Sequence, residues 1–382
     1  MEKFLRALYK KFLDFGESYF ILDAQKYSTS LEELKLSKRT LKKFYKNFYR
    51  VSFLTFLYNV KTTIYSKNVF DFIVKTSLED WDLWRYLKFL EKEKIIKIKK
   101  NGEVSIFKKE LLKIIPKPRS EKEIKEKLEK KLELKIKEED LIVNLFKRNQ
   151  DFKVKAKWDQ MPISQGSAIF VVKKLLDYLP LNGKFLFVGD DDFISVILAI
   201  TDPNVESLVI DADEQLLSCI DFLAKKFNLK IETRKADIRK QKFLVPHQGK
   251  SSTGFIGFLT NPVYTEVGIK QFVQFGKNQL GKDGGFGFLE VGDESIGNRF
   301  LFLQNFFSEN NLIIKELITN KIYYPYIELY REDKEILRRL SLMIDKEVIK
   351  KSPKLGASLY VFDYLPEKTK RVKFKKPIYA YL

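Results

Sequence analysis

The sequence has one cysteine, one histidine and no long hydrophobic run. Cys219 has no partner within the chain, so an internal disulfide is excluded and a reducing, cytoplasmic location is expected. A structural zinc site normally needs four Cys or His ligands, and we predict no metal site. A nucleophilic site of the Ser-His-Asp or Cys-His kind would depend on His247, in a polar loop, and is not expected. The N-terminus mixes charged with apolar residues, so we predict neither a signal peptide nor a membrane contact.

Positive charge is abundant and unevenly distributed along the chain, which carries a formal net charge of +20. Residues 1–150 contain 36 Lys and Arg against 22 Asp and Glu, whereas residues 151–382 contain 35 against 29. A surface that binds a polyanion such as nucleic acid would therefore belong to the N-terminal part. The abundance of Lys together with Glu is typical of thermophile proteins.

The first 150 residues predict helices and a winged helix. Residues 1–67 place apolar side chains at helical spacing, which predicts an N-terminal helical segment. Residues 68–150 predict a winged-helix-like domain, because two helical stretches precede a hairpin with an Asn-Gly turn at 101–102, and then a solvated linker helix. The would-be recognition helix begins with three acidic residues between 79 and 82, where DNA contacts are usually made. We therefore favour a structural or interaction role for this region over nucleic-acid binding.

From residue 151 the pattern changes to strands that alternate with helices. The strands are predicted at 184–188, 208–210, 230–233, 254–259, 285–289, 323–330 and 357–363, and the helices at 165–179, 193–200, 215–227 and 268–280. This order predicts an α/β fold, a Rossmann-like (methyltransferase-like) doubly wound sheet in residues 151–350, beside the N-terminal helical and winged-helix domain. Residues 351–382 are predicted to form a C-terminal strand and a basic tail.

Acidic and amide side chains follow the carboxyl ends of four predicted strands. The first strand ends in Gly189 and three consecutive aspartates, in a place where nucleotide-binding turns usually carry several glycines. Because the carboxyl ends of parallel strands line one crevice, these side chains are expected to face a common ligand. The residues are Asp190, Asp191 and Asp192 after the first strand, Asp211 and Asp213 after the second, Asp237 after the third and Asn261 after the fourth.

The chemistry of this series favours a ligand with a cationic part. Three carboxylates in one turn would repel an anionic group and attract a cationic one. An acidic residue after the second strand can accept hydrogen bonds from two vicinal ribose hydroxyls, and Asp237 can accept one from the exocyclic amine of adenine. Aspartate is also common at helix N-caps, so Asp213 could be only a cap.

Three runs resemble those of branched-chain polyamine synthases, a family of aminopropyltransferases. They are Phe187-Val-Gly-Asp-Asp-Asp-Phe193, Val209-Ile-Asp-Ala-Asp-Glu214 and Asp237-Ile-Arg239. Trp158-Asp-Gln160 is similar to a family segment that lines the polyamine site, and Asn261-Pro-Val-Tyr264 stands where the family has an Asp-Pro-Pro-Tyr or Asn-Pro-Pro-Tyr motif. Val263 replaces the second proline of that motif.

The resemblance implies that an aminopropyl group moves from decarboxylated S-adenosylmethionine, a co-substrate and not a bound cofactor, to spermidine. The products would be N4-bis(aminopropyl)spermidine and methylthioadenosine. Asp191 is interpreted as the general base, with Asp190 and Asp192 as helpers or anchors, and a homodimer through the N-terminal domain is implied. The donor would contact Gly189, Asp211, Asp213, Asp237 and Ile238, and the polyamine would contact Asp159, Gln160, Asn261 and Tyr264.

Two other functions stay open on the sequence. One is an S-adenosylmethionine-dependent amino-methyltransferase that acts on nucleic acid through the Asn-Pro-x-Tyr run at 261–264. The other is a non-catalytic winged-helix regulator that senses polyamines. The absence of a glycine-rich turn argues against the first, and the acidic start of the recognition helix argues against the second.

Overall fold

The structure is a computed structural model that describes residues 2–27, 39, 42, 45, 51–76, 78, 80–133, 135–136, 155, 158, 160–240, 254–325, 331–345, 348 and 355–366. The chain divides into two compact units, one of residues 1–116 with 365–382 and one of residues 117–364. Within the described ranges, no helix has both the length and the apolar character needed to cross a membrane. The predicted site residue Asp159, His247 and nearly all of the basic tail lie outside these ranges.

The first unit is helical with one β-hairpin. Its elements are α1 (Glu2–Tyr27), α2 (Phe53–Ile64), α3 (Val69–Thr76), α4 (Asp80–Lys92), β1 (Ile96–Ile98), β2 (Val104–Ile106) and a short 3-10 helix (Lys109–Lys113). Aromatic side chains form its core: the Phe12 ring centroid lies 4.8 Å from that of Phe56 and 4.5 Å from that of Tyr86. Gly102 turns the hairpin with φ +82°, so α3, α4 and the hairpin follow in the order expected for a winged helix.

The second unit is a seven-stranded sheet flanked by helices. The strands are β3 (Lys184–Val188), β4 (Glu206–Asp211), β5 (Ile231–Lys235), β6 (Gly257–Thr260), β7 (Gly285–Val291), β8 (Leu312–Tyr324) and β9 (Leu355–Tyr364). The helices are α5 (Glu121–Leu132), α6 (Gln165–Tyr178), α7 (Ile194–Thr201), α8 (Glu214–Phe227), α9 (Glu266–Asn278), α10 (Asp293–Ile296), α11 (Phe300–Glu309) and α12 (Arg331–Leu340). The strand order is β5-β4-β3-β6-β7-β9-β8. Strands β3 to β7 are parallel, and β9 runs antiparallel between β7 and β8.

Both faces of the central strands are buried, which explains why these strands read as continuous apolar runs. On one face Leu186 and Phe258 belong to the same core cluster as Val273 of α9 and Leu303 of α11. On the other face Phe288 lies 5.9 Å from the ring of Tyr178 in α6. The predicted α/β fold is confirmed, and the parallel order places the ends of β4, β3, β6 and β7 side by side.

The structure departs from the sequence interpretation at helix α5 and strand β8, and it adds helices α10, α11 and α12, which were not predicted. Helix α5, expected to be a solvated linker, buries Ile124 and Leu128 and packs against α6 and α7, because its fourfold apolar spacing makes a continuous stripe. Strand β8 begins at Leu312, well before the predicted 323. Most of its first ten residues are exposed, so its sequence lacks the apolar pattern of a core strand.

The contact between α9 and β6 requires a glycine. A Cβ added at Gly276 would overlap the ring of Phe258, which is fully buried. We expect Gly276→Ala to lower the free energy of unfolding by about 1–3 kcal/mol in urea titrations, because the ring has no space to move. The matched control is Gly166→Ala in α6, where nothing lies within 4 Å of the new Cβ. That control should be neutral or stabilising by up to about 1 kcal/mol, and equal losses in both variants would contradict the packing argument.

Candidate functional site

The turn after β3 is compact because two of its residues have left-handed backbone conformations. Gly189 has φ +79° and Phe193, the N-cap of α7, has φ 55°. The Gly189 N–H donates to the Ile210 carbonyl at 2.8 Å, which ties the turn to β4. A Cβ at Gly189 would lie 3.9 Å from Asp211 Oδ2. Glycine therefore keeps the space in front of that carboxylate open, as a close-fitting ligand would require.

The three aspartates of this turn have different surroundings. Asp190 is buried, and its carboxylate accepts hydrogen bonds from the Ser195 hydroxyl and from the Ser195 N–H at 3.2 Å, so it holds the first turn of α7. Asp192 is buried too, and it accepts from the Ile163 N–H at 2.6 Å and from Asn261 Nδ2 at 3.1 Å. Asp191 is partly exposed, and among the described residues no other residue donates to its carboxylate. Asp191 is therefore the member of the three that is available to a ligand.

Burial of so many carboxyl groups together raises their pKa values. For Asp191 burial is the largest cause, followed by the charges of Asp192, Asp211 and Asp190, and its pKa lies well above the usual range. Burial likewise raises the pKa of Asp192 and of Asp211 to about 6. In the described part of the chain, no Lys or Arg forms an ion pair with the three aspartates of the turn. A cationic ligand would supply the missing charge, and a carboxyl group with a pKa nearer neutrality is suited to take a proton.

The residues after β4 divide their roles. Asp211 Oδ1 accepts from the Asp213 N–H at 2.7 Å, and its other oxygen faces Gly189. Asp213 is the N-cap of α8, and it also accepts from Lys155 Nζ at 2.7 Å and from Gln160 Nε2 at 3.0 Å. The Gln160 side chain accepts in turn from the Lys155 N–H. Asp213 and Gln160 are therefore engaged with each other and with the backbone, and they fix the segment that leads into the site.

A chain of hydrogen bonds leads away from Asp192 across the end of β6. Asn261 donates to Asp192 and accepts from the Tyr324 hydroxyl at 3.0 Å, and the Tyr324 hydroxyl lies 2.7 Å from that of Tyr264. Burial raises the pKa of both tyrosines above the usual range, so both remain phenols at neutral pH. The structure thus brings Asn261 and Tyr264 to the same edge as the three aspartates.

Asp237 and Ile238 lie after β5, at the outer side of this edge. The Asp237 carboxylate forms two hydrogen bonds of 2.8 Å with Arg239, and the bonds to Arg239 are the main reason that its pKa is lowered to about 2. Ile238 packs partly buried against the core. Both oxygens of Asp237 are occupied in the structure, in contrast to those of Asp191.

The site contains two residues that the sequence interpretation missed. Tyr324, at the end of β8, joins the hydrogen-bond chain. Glu290, near the end of β7, is fully buried, and neither of its carboxylate oxygens has a hydrogen-bond partner among the described residues. Burial, with the charges of Asp192, Asp191 and Asp190, raises its pKa well above the usual range. The signal in the sequence was a single acidic residue inside the apolar run 285–291. Among the residues that the structure describes, no group of His, Cys, Asp and Glu is arranged to hold a metal ion.

The fold and the site define a Rossmann-like protein with a cluster of buried acidic groups at the carboxyl ends of its central strands. Residues 143–375 match the family described as "Branched-chain polyamine synthase A C-terminal domain". The match covers more than half of the chain, which therefore belongs to this family. The predicted resemblance to branched-chain polyamine synthases is confirmed.

Individual relatives match shorter segments. An uncharacterized protein of Methanocaldococcus jannaschii is 36% identical over 150 residues, which is 39% of this chain and 37% of that protein. The N(4)-bis(aminopropyl)spermidine synthase of the same organism is 27% identical over 37% of this chain and 40% of that protein. The protein of the same name from Thermus thermophilus is 28% identical over 42% of this chain and 46% of that protein. The matched segments thus span less than half the length of each relative.

A solved structure is also similar in outline. It is a variant of the branched-chain polyamine synthase from Thermus thermophilus, in complex with N4-aminopropylspermidine and 5'-methylthioadenosine. It is 17% identical, with a TM-score of 0.46, over 85% of this chain and 91% of that chain.

The raised pKa of Asp211 makes the stability of the protein depend on pH. Its pKa is about 6 in the folded protein and 3.8 by reference, so its contribution to stability is present below about pH 4 and is lost as the pH rises through 6. In Asp211→Asn the titrating group is removed, while the amide oxygen can still accept from the Asp213 N–H. Between pH 4 and pH 7 we expect the free energy of unfolding of the variant, measured in urea titrations, to increase relative to that of the parent by on the order of 1 kcal/mol.

The control for this experiment is Asp237→Asn, where the sign is reversed. The Arg239 pair lowers the pKa of Asp237 to about 2, so its contribution is present above pH 3.8 and is lost as the pH falls through 2. The free energy of unfolding of that variant should fall relative to that of the parent as the pH rises from 2 to 4. Identical pH profiles for the parent and Asp211→Asn would show that Asp211 is not perturbed by burial.

Proposed function

We propose that the protein is an aminopropyltransferase that moves the aminopropyl group of decarboxylated S-adenosylmethionine to an amine of spermidine or a related polyamine. The observation that carries the proposal is the Asp191 carboxylate, which lies among buried acidic groups and accepts no hydrogen bond from another described residue. Membership of the family supports it, as do the two curated relatives named N(4)-bis(aminopropyl)spermidine synthase.

The charge of the crevice favours the decarboxylated donor over the ordinary one. Loss of its carboxylate leaves the donor with an ammonium group and a sulfonium, and both are cations. Ordinary S-adenosylmethionine would bring a carboxylate toward Asp190, Asp191 and Asp192, and transferring it to this buried site would meet like-charge repulsion. The same argument favours a polyamine as acceptor, because each of its ammonium groups would neutralise part of the acidic lining.

The donor is proposed to lie along the ends of β3, β4 and β5. Gly189 leaves room for the ribose, whose vicinal hydroxyls can donate to the open oxygen of Asp211. Ile238 offers an apolar surface to the adenine. Arg239 donates two hydrogen bonds to Asp237 Oδ1 and one to Oδ2, so Oδ2 keeps a lone pair that can accept from the adenine amine. Asp213 and Gln160 act by positioning the segment before α6, since their polar atoms are already engaged.

The reaction is an in-line displacement at the carbon next to the sulfonium. The amine nitrogen of the acceptor forms the new C–N bond, the C–S bond breaks, and methylthioadenosine leaves with the electron pair. The attacking nitrogen must lose a proton, and Asp191 is placed to accept it as a general base. Asp192, held by Ile163 and Asn261, keeps the turn in position, and Tyr264 orients the polyamine. Holding both reactants in line supplies a large part of the rate.

The surroundings of Asn261 argue against the methyltransferase alternative. In that function the Asn261 amide would contact the target amine, but it is engaged by Asp192 on one side and by Tyr324 on the other. Asp159 as a polyamine contact, a homodimer through the N-terminal unit and a cytoplasmic location stay predictions, and nucleic-acid binding by the basic N-terminal part is not favoured.

The role of Asp191 is tested by Asp191→Asn. With spermidine and decarboxylated S-adenosylmethionine as substrates, release of methylthioadenosine should fall about 100-fold or more, because the amide cannot accept the proton. Methylthioadenosine binding, measured by calorimetry, should stay within about threefold of the parent, which is a change of less than 1 kcal/mol. The control is Asp283→Asn, before the first residue of β7 and away from the carboxyl ends, which should leave both quantities unchanged.

Two results would be decisive against these assignments. Unchanged turnover in Asp191→Asn would remove Asp191 as the base while leaving the reaction itself intact. Methyl transfer from ordinary S-adenosylmethionine, with no heavier polyamine formed from the decarboxylated donor, would overturn the aminopropyltransferase proposal.

A further inference from the structure

Glu290 occupies a strand position that would ordinarily hold an apolar side chain. Its neighbours Leu289 and Val291 both lie in the core between the sheet and helices α9 and α11. Because side chains alternate along a strand, Glu290 lies on the opposite face, with Phe286 and Phe288. The rings of both phenylalanines contact Tyr178 of α6, at 5.5 and 5.9 Å. Glu290 therefore lies on the α6 face of the sheet, at the carboxyl end of β7.

The Glu290 carboxylate is buried without any compensation in the described part of the protein. It is 0% exposed, and both of its oxygens lack a hydrogen-bond partner. Buried carboxylates are normally paired or hydrogen-bonded, and exceptions call for an explanation. By contrast, Asp190 and Asp192 are just as buried and each accepts two or more hydrogen bonds. Glu290 is therefore a side chain prepared for a group that the protein itself does not supply.

The groups whose charges act on Glu290, or on which its charge acts, indicate the chemistry of that missing partner. They are Asp190, Asp191 and Asp192 from the turn after β3, Tyr264 from the loop after β6, and Tyr324 from the end of β8. Three of these are acidic and the two phenols are neutral at neutral pH, so none brings a positive charge. A ligand that satisfies Glu290 must donate hydrogen bonds and must carry positive charge to offset the crowded carboxyl groups.

We propose that Glu290 is a subsite that binds an ammonium group of the polyamine acceptor, at a distance from the amine that Asp191 deprotonates. This inference rests on the proposed function. Strands β3 and β7 are separated by β6, so their axes are about 10 Å apart. Amines joined by three or four methylene groups, with a side chain at each end, span such a distance. Glu290 would thus select an acceptor with a second charged nitrogen.

Binding at this subsite has a proton balance that can be measured. Burial and the neighbouring carboxylates favour the protonated form of Glu290 while the crevice is empty. When an ammonium group arrives, the carboxyl group ionises to form the ion pair, and its proton passes to the buffer. Each polyamine bound should therefore release about one proton from Glu290. The amine that attacks the donor also loses a proton, and that proton is counted separately.

The experiment is calorimetric titration of spermidine into the full chain saturated with methylthioadenosine, in two buffers of different ionisation enthalpy. Glu290→Gln should weaken spermidine binding at least tenfold and release about one proton fewer than the parent, while methylthioadenosine affinity is unchanged. In the aminopropyl assay the same variant should raise the KM for spermidine more than it lowers kcat. The matched control is Glu316→Gln on β8, whose carboxylate already binds Lys174 and Tyr178 and which should leave spermidine binding as in the parent.

Two further outcomes separate this inference from its alternatives. Equal spermidine affinity and equal proton release in the parent and Glu290→Gln would overturn the subsite, while product formation by the parent would leave the proposed function standing. Failure of the parent to form any aminopropyl product would overturn the proposed function instead. Glu290→Leu checks for a purely structural role: if the ligand-free Tm falls in both the Gln and the Leu variants, Glu290 serves folding and the subsite is wrong.

Discussion

The burial of several carboxyl groups at the ends of neighbouring strands is the constraint on which the site depends. Asp191, Asp192 and Asp211 all have raised pKa values, and burial is the largest cause for each. A protein tolerates this only where the surrounding fold holds the groups in place. The apolar strands β3, β6 and β7 and the helices on both faces provide that support.

Residues that look equivalent in the sequence have different roles in the fold. The three aspartates of one turn divide into Asp190, which holds α7, Asp192, which anchors the start of α6 and Asn261, and Asp191, which is open. Asp211 and Asp213 divide in the same way, with one facing the crevice and the other capping α8. In both turns an engaged carboxylate fixes the backbone that presents an open one. The position of the open carboxylate is therefore fixed by the hydrogen bonds of its neighbour in the same turn.

Much of the fold was predictable from the sequence because the buried parallel strands are apolar throughout, and the acidic turn was visible because it replaces glycines. The roles within the turn were not, since they depend on partners 29 and 69 residues away along the chain. Glu290 was missed because a strand prediction that follows apolar residues ends at Leu289. The start of strand β8 was missed because an edge strand need not alternate, and Tyr324, although inside the predicted strand, was not recognised as a site residue.

The hydrogen-bond chain from Asp192 to Tyr264 has a direction. An ionised carboxylate only accepts, so Asn261 must donate its N–H to Asp192 and present its oxygen to Tyr324. The Tyr324 hydroxyl donates its one hydrogen to that oxygen. Tyr264 is therefore the donor in the hydrogen bond between the two hydroxyls. The Tyr264 oxygen then has lone pairs but no proton to offer to a ligand. The order of donors and acceptors that begins at Asp192 thus extends over three side chains, and the Gly292 N–H adds a further hydrogen bond to the Tyr264 oxygen.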